Sequence, residues 1–229
     1  MTQMSLTALP RLLQLSSPML PVGAFSYSQG LEYAIEARFV HDAASALAWI
    51  DDVLCSGVSR FEAPMVARMH TAWQQQDSAQ ALASNALFIS SRETAELRAE
   101  TLQMGFSLVR LLEQLDELPQ AQIAILRAQQ EVSFPCAFAL AAAAWNIPPD
   151  AAVNAYLWSW LENQVSAAMK SVPLGQVAGQ RILATLGRKL PALAETASGL
   201  DDDMLSNFSP MLAIVSSRHE TQYSRLFRS

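Results

Sequence analysis

Three histidines, two cysteines and a run of three aspartates are the residues of this chain best equipped to hold a metal or attack a substrate. A zinc or nickel site takes its ligands from closely spaced His, Cys or carboxylate residues. His41, His70 and His219 stand far from one another, and Cys55 and Cys136 form no C-x-x-C pair. His70, beside Met69 and Trp73, reads as a partly exposed helical histidine. The two cysteines sit among apolar neighbours and read as reduced core thiols, since free cysteine behaves as a small hydrophobe. Asp201, Asp202 and Asp203 suit the start of a helix, where carboxylates cap free N–H groups and oppose the dipole. No G-x-x-x-x-G-K-[ST] loop, G-x-G-x-x-G turn or nucleophile elbow occurs. No catalytic, cofactor or metal residue is therefore assigned, and a non-enzyme is expected.

Three stretches carry more than packing. The first is LPVGAFSYSQGL, residues 20–31. Pro21 fixes its path, Gly23 permits a tight turn, and Phe25, Ser26 and Gln29 follow. It is either a packed connection whose aromatics plug the core or a rigid recognition loop. The second is KSVPLGQVAGQRIL, residues 170–183. Pro173 is expected to open a helix on which Gly175 and Gly179 share one face and Gln176 and Gln180 an adjacent one. A glycine inside a soluble helix costs about 1 kcal/mol relative to alanine, a cost tolerated where another backbone packs closely. Lys170, Gln176, Gln180 and Arg181 then read as polar contacts at a subunit boundary. The third is the ending RHETQYSRLFRS, residues 218–229, with three arginines beside Tyr223, Leu226 and Phe227. Arginine with aromatics is a composition of binding hot spots, whereas disordered ends are usually poor in aromatics. Residues 218–229 are expected to be a tail that is mobile when free and ordered on a partner, attached to an all-helical domain at 1–217.

Helices must position these stretches. Strand alternation and Asn-Gly or Asp-Gly turns are lacking, and no fixed-period repeat is seen. Helices are expected over residues 6–15, 29–37 (capped by Ser28), 43–76 (capped by Asp42 and kinked or restarted at Pro64), 78–89, 94–115, 123–132, 135–145, 151–170 and 173–186, with an apolar stretch at 210–217. The clearest is 94–115, where Leu97, Thr101, Gly105, Leu108, Leu112 and Leu115 recur at spacings of three and four. The fold class expected is all-α, a single compact helical domain of roughly ten helices.

Composition narrows the function further. The chain is 51% hydrophobic and only 16% charged, against a usual charged share of roughly 25%. That balance implies apolar surface covered by another protein, so a homodimer is expected, with the uncharged 135–145 helix buried in a core or an interface. The net charge of −6 argues against a general nucleic-acid binder. No uncharged apolar run of about 18 residues occurs and no signal-peptide pattern opens the chain, so no membrane association is expected and a cytoplasmic protein is.

Together, SSPMLPVGAFSYSQGLE, KSVPLGQVAGQRIL and RHETQYSRLFRS resemble the three signature regions of the UreF urease accessory proteins, in order and at matching distances. The resemblance implies an all-helical, dimeric, non-catalytic protein. It implies binding to UreD (UreH in some systems), recruitment of the GTPase UreG, and docking on apo-urease to assist GTP-dependent nickel insertion. Carried over by motif, Lys170, Gln176, Gln180 and Arg181 belong to the surface associated with UreG. Tyr223, Arg225, Leu226, Phe227 and Arg228 belong to the tail that orders against UreD. A generic helical adaptor and an all-α hydrolase with a site assembled only in three dimensions are the alternatives. Co-purification partners distinguish the first, and a pocket of converging carboxylates or histidines the second.

Overall fold

A central, almost uncharged helix organises the molecule, and eleven others pack around it or on its neighbours. The computed structural model describes residues 5–229 and contains no strand among them. Twelve α-helices run in order: α1 Ala8–Leu15, α2 Leu31–Glu36, α3 Ala43–Val53, α4 Ala63–Gln74, α5 Ser78–Ser90, α6 Ala95–Leu115, α7 Gln120–Arg127, α8 Phe134–Ala144, α9 Pro149–Ser171, α10 Gln176–Gly187, α11 Leu190–Ser198 and α12 Pro210–His219. The chain is all-α and forms a single compact domain.

Helix α8 is the centre. Its start is set by Ser133, whose side chain accepts from the Cys136 amide, with Pro135 in the first turn. Every residue from Cys136 to Ala142 is fully buried, enclosed by α4, α6, α9, α1 and α5. Its alanines present little bulk, so α4 and α6 approach closely, while Phe138 fills the space towards Phe134 and Tyr156 with centroids 5.8 and 5.6 Å away. The apolar helix expected at a core or an interface thus lies inside its own chain, and it offers no face to a second copy.

Helix α6 follows the sequence pattern closely. Thr94 caps it by accepting from the Leu97 amide, and Leu97, Thr101, Gly105, Leu108 and Leu112 face inward. Gly105 is obligatory for packing, because a Cβ there would run into the main-chain oxygen of Val132. Asp42 and Ser45 form a reciprocal capping box at the start of α3.

The helices differ from expectation at several points. Within 43–76 the helix restarts at Pro64, one of the two outcomes expected there, after a stretch the sequence did not mark. Residues Leu54–Glu62 wind as a wide π-type stretch between α3 and α4, and Pro64 sits harmlessly in the first turn of α4. Helix α2 starts at Leu31 rather than 29, because Gln29 and Gly30 have φ of 53° and 77° and cannot extend a right-handed helix. Pro173 lies in an extended link, and α10 starts only at Gln176, after Gly175. Helix α11, whose Leu190, Ala194 and Ala197 are buried, was not anticipated. His70 is also fully buried, with Nε2 2.9 Å from the Ile147 carbonyl oxygen, rather than partly exposed.

Candidate partner-docking face

The loop before α2, the end of α9 and the tail beyond α12 converge, although they are more than a hundred residues apart in sequence at their widest. Gly23, at φ 80°, turns the loop and leaves Phe25 66% exposed, while Val22, Tyr27 and Ser28 point into the core. Asn163 of α9 donates to the Tyr27 carbonyl oxygen at 3.0 Å, which holds the loop on that helix. Gly30 lets α12 cross: a Cβ there would meet Val215 at 2.8 Å and the Ser216 amide at 3.0 Å, besides straining a positive φ.

The tail is laid onto this platform by main-chain hydrogen bonds. The Arg228 amide donates to the Ser26 carbonyl at 2.8 Å and the Ser28 amide to the Ser229 oxygen at 2.7 Å. The Glu32 carboxylate accepts from the Leu226 and Phe227 amides at 2.6 and 2.9 Å. Phe227 is buried, whereas Leu226 is 64% and Tyr223 96% exposed. Lys170, at the end of α9, ties the stretches together. Its Nζ lies 3.5 Å from the Phe25 carbonyl oxygen, 6.0 Å from the Phe25 ring centre and 5.6 Å from that of Phe227. In this structure Arg218 and His219 are the last turn of α12, and 225–229 pack on their own chain.

Beneath the face lies a buried polar system. Glu32 is braced by His219, whose Nε2 is 3.1 Å from Glu32 Oε2 and whose Nδ1 is 2.6 Å from Glu96 Oε2. Arg225 of the tail pairs with the other oxygen of Glu96. Deeper in, Glu100 accepts from Gln29 Nε2 at 2.7 Å and from Ser229 Oγ at 2.8 Å, while Gln29 Oε1 accepts from Trp160 Nε1 at 2.7 Å. Burial pushes the Glu100 carboxyl up to about 7, against the opposing effect of these hydrogen bonds. A cavity of about 320 Å³ adjoins this system, with Phe25, Glu62, Arg92, Glu100 and Trp160 in its wall. Arg92 pairs with Glu62 at 2.7 Å, and Tyr156 donates to the second Glu62 oxygen at 2.7 Å. Burial raises the Tyr156 hydroxyl well above its ordinary range. These carboxylates and histidines do not converge as a ligand set: no group of three or more His, Cys, Asp or Glu able to hold a metal occurs among the described residues.

The anticipated residues divide into three sets. Phe25, Ser26, Lys170, Arg225, Leu226, Phe227 and Arg228 are brought together, with Pro21, Gly23 and Tyr223 at or beside the margin. Gln29 faces inward and belongs to the buried system. Gln176, Gln180 and Arg181 are exposed on α10, alongside exposed Val177. Gly175 precedes that helix with open space around it. Gly179 is inside it, where a Cβ would touch the Met169 sulfur, so the close neighbour is a side chain rather than a second backbone. Sequence reasoning missed Glu32, Glu96, Glu100 and His219 as a set. Glu96 and Glu100 are four apart on α6, which was a usable signal, but nothing local joined them to His219.

The UreF family model matches residues 40–187. The chain is 59% identical over 227 residues to a urease accessory protein UreF of Azoarcus sp. (strain BH72), covering 98% of this chain and 97% of that protein. The chain belongs to the UreF family. A UreF of Dechloromonas aromatica (strain RCB) is 56% identical, with 96% of this chain and 97% of that protein covered. A bifunctional urease accessory protein UreEF of Bordetella bronchiseptica is 51% identical over 96% of this chain, which spans 52% of that longer protein. The match of the UreF family model takes in α3 to α10 but neither the loop nor the tail. The Azoarcus and Dechloromonas relatives extend over nearly the whole chain. No helix among the described residues is long and apolar enough to cross a membrane.

Proposed function

We propose that this UreF-family chain is a non-catalytic scaffold of urease maturation that works in the cytoplasm. In this reading it binds UreD (UreH), through that complex recruits UreG, and docks on apo-urease to assist GTP-dependent nickel insertion. The observation that carries the reading is the position of Lys170, whose ammonium group bridges the loop at Phe25 and the tail at Phe227. One exposed face thus joins the loop, Lys170 at the start of the second stretch and the tail, and it offers large rigid aromatics beside arginine, the chemistry of binding hot spots. Leu226 and Tyr223 project from the tail, and Phe208, Met211 and Ile214 are exposed on and before α12, adding apolar area of the kind a partner covers. We assign this tail side to UreD, with fuller ordering of residues 218–229 on binding, and the Gln176, Gln180 and Arg181 surface to UreG.

A homodimer belongs to the same proposal. Since α8 is enclosed, the covering surface has to come from exposed apolar residues such as Phe39, Leu87 and Phe106. The test is a pull-down of UreD and UreG by this protein, with and without guanine nucleotide, beside light scattering of the free protein. UreG captured only when UreD is present, together with a dimeric mass, supports the proposal. A strictly monomeric mass at tens of micromolar removes the dimer, and failure to hold UreD removes the scaffold role.

A further inference from the structure

The three signature stretches are accounted for by docking, but Glu100 is not. It is a carboxyl 6% exposed at the floor of the tail's seat, and a scaffold surface has no use for a group of that kind. Its surroundings hold it near neutrality rather than fully ionised. Among the described residues the cation acting on it is Arg92, whose guanidinium is already engaged by Glu62 at 2.7 Å, while Arg228 of the tail acts on the neighbouring Tyr27 hydroxyl. The Glu62 carboxylate itself opposes a second negative charge, and the hydroxyls of Tyr27 and Tyr156 are the other titratable groups nearby. What closes the site is the tail: Ser229 is fully buried, and its Oγ lies 2.8 Å from Glu100 Oε2.

We propose that docking of residues 223–229 on the body is proton-linked, with Glu100 taking up a proton from solvent as Ser229 closes over it, so that acid favours the docked tail and base releases it. The inference concerns the free chain and does not rest on the partner assignment.

The chemistry balances without another reactant. The carboxylate gains one proton from water on docking and returns it on release. A serine hydroxyl both donates and accepts, so Ser229 stays bonded to Glu100 in either state, while Gln29 Nε2 continues to donate to the other oxygen. The other end of the tail is fastened to two carboxylates of the body. Both ring nitrogens of His219 face carboxylate oxygens, those of Glu32 and Glu96. Glu32 so held accepts from the Leu226 and Phe227 amides, and Glu96 pairs with Arg225.

The direction follows from linkage. Docked, the carboxyl titrates at about 7; released into solvent, it returns towards its ordinary 4.5. The docked state binds more protons between those limits, so the docking constant falls as pH rises through them and levels off above. For one proton the fall from pH 6 to pH 8 is about tenfold.

The test is amide hydrogen exchange of the full chain, read as protection of residues 223–229 at pH 6 and pH 8 after correction for intrinsic exchange. Wild type should lose about tenfold of its tail protection between the two. Glu100→Gln, which keeps the shape but cannot ionise, should abolish or reduce that loss while α8 stays protected. No loss in wild type, or an equal loss in Glu100→Gln, overturns the proposal. If the variant leaves α8 unprotected, a carbon-13 titration of the Glu100 carboxyl decides in its place. A midpoint near 7 in wild type that drops towards 4.5 in Phe227→Ala supports the link; the same midpoint in both overturns it.

Discussion

Three glycines that look alike in sequence should respond very differently to a single added methyl group. In an open helix, glycine to alanine is worth about 1 kcal/mol of stabilisation. At Gly105 of α6 the new Cβ would collide with the main-chain oxygen of Val132 and crowd Ser133, just ahead of the central helix. Main chain cannot swing aside, so the overpacking cost lies near the upper end of the usual range, about 3 kcal/mol. The net effect of Gly105→Ala is a loss of about 2 kcal/mol, or about 4–8 °C in melting temperature for a domain of this size. At Gly179 of α10 the same methyl meets the sulfur of Met169, the far end of a flexible side chain. Its displacement costs about 1 kcal/mol, which the helix preference cancels, leaving Gly179→Ala near neutral. Gly179→Leu, too large for Met169 to accommodate by moving, should destabilise. At Gly175, outside the helix with nothing within 4 Å, alanine should change nothing measurable. Urea and thermal unfolding of the four variants give the order directly. Melting of Gly105→Ala at the wild-type temperature would refute the packing argument for α6, and early melting of Gly175→Ala would refute the placement of the 172–175 link.

Other outcomes follow from the buried charges. Glu62→Ala strands the Arg92 guanidinium, 7% exposed, without its carboxylate, and should cost about 3 kcal/mol in urea unfolding, with little change on adding salt. His70 is held below its ordinary 6.5 by burial, so the folded state keeps it neutral while the unfolded chain protonates it. Its contribution is present above pH 6.5 and is lost as pH falls, so the wild-type melting temperature should drop between pH 7.5 and 5.5 by more than that of His70→Gln. Phe138→Ala should cost about 3–5 kcal/mol by opening a cavity beside Phe134 and Tyr156, read by urea denaturation.

What the sequence disclosed was what local chemistry decides. Asp42 marked its helix start because a cap bonds within three residues, and the α6 stripe was legible because its period is its own. Pro173 misled because proline suits a first helical turn and an extended link equally, and only packing on α9 chooses between them. Helix α11 escaped notice because Leu190, Ala194 and Ala197 form too thin a stripe to stand out. At the site, the three stretches stood out by composition, and their meeting through Lys170 could not be read before folding. The His219–Glu32–Glu96 bridge and the Ser229–Glu100 contact join residues more than a hundred positions apart, and no spacing rule reaches that far.

The most direct test of the docking face is capture of UreG by the UreD-bound protein, measured for Gln180→Ala and Arg181→Ala alongside their melting. Both side chains are exposed on α10, so stability should stay within about 0.5 kcal/mol of wild type and UreD should still bind. UreG capture should weaken by about 30-fold, corresponding to a hot-spot loss of about 2 kcal/mol. Variants that melt early yet capture UreG as well as wild type would make these residues structural and contradict the account.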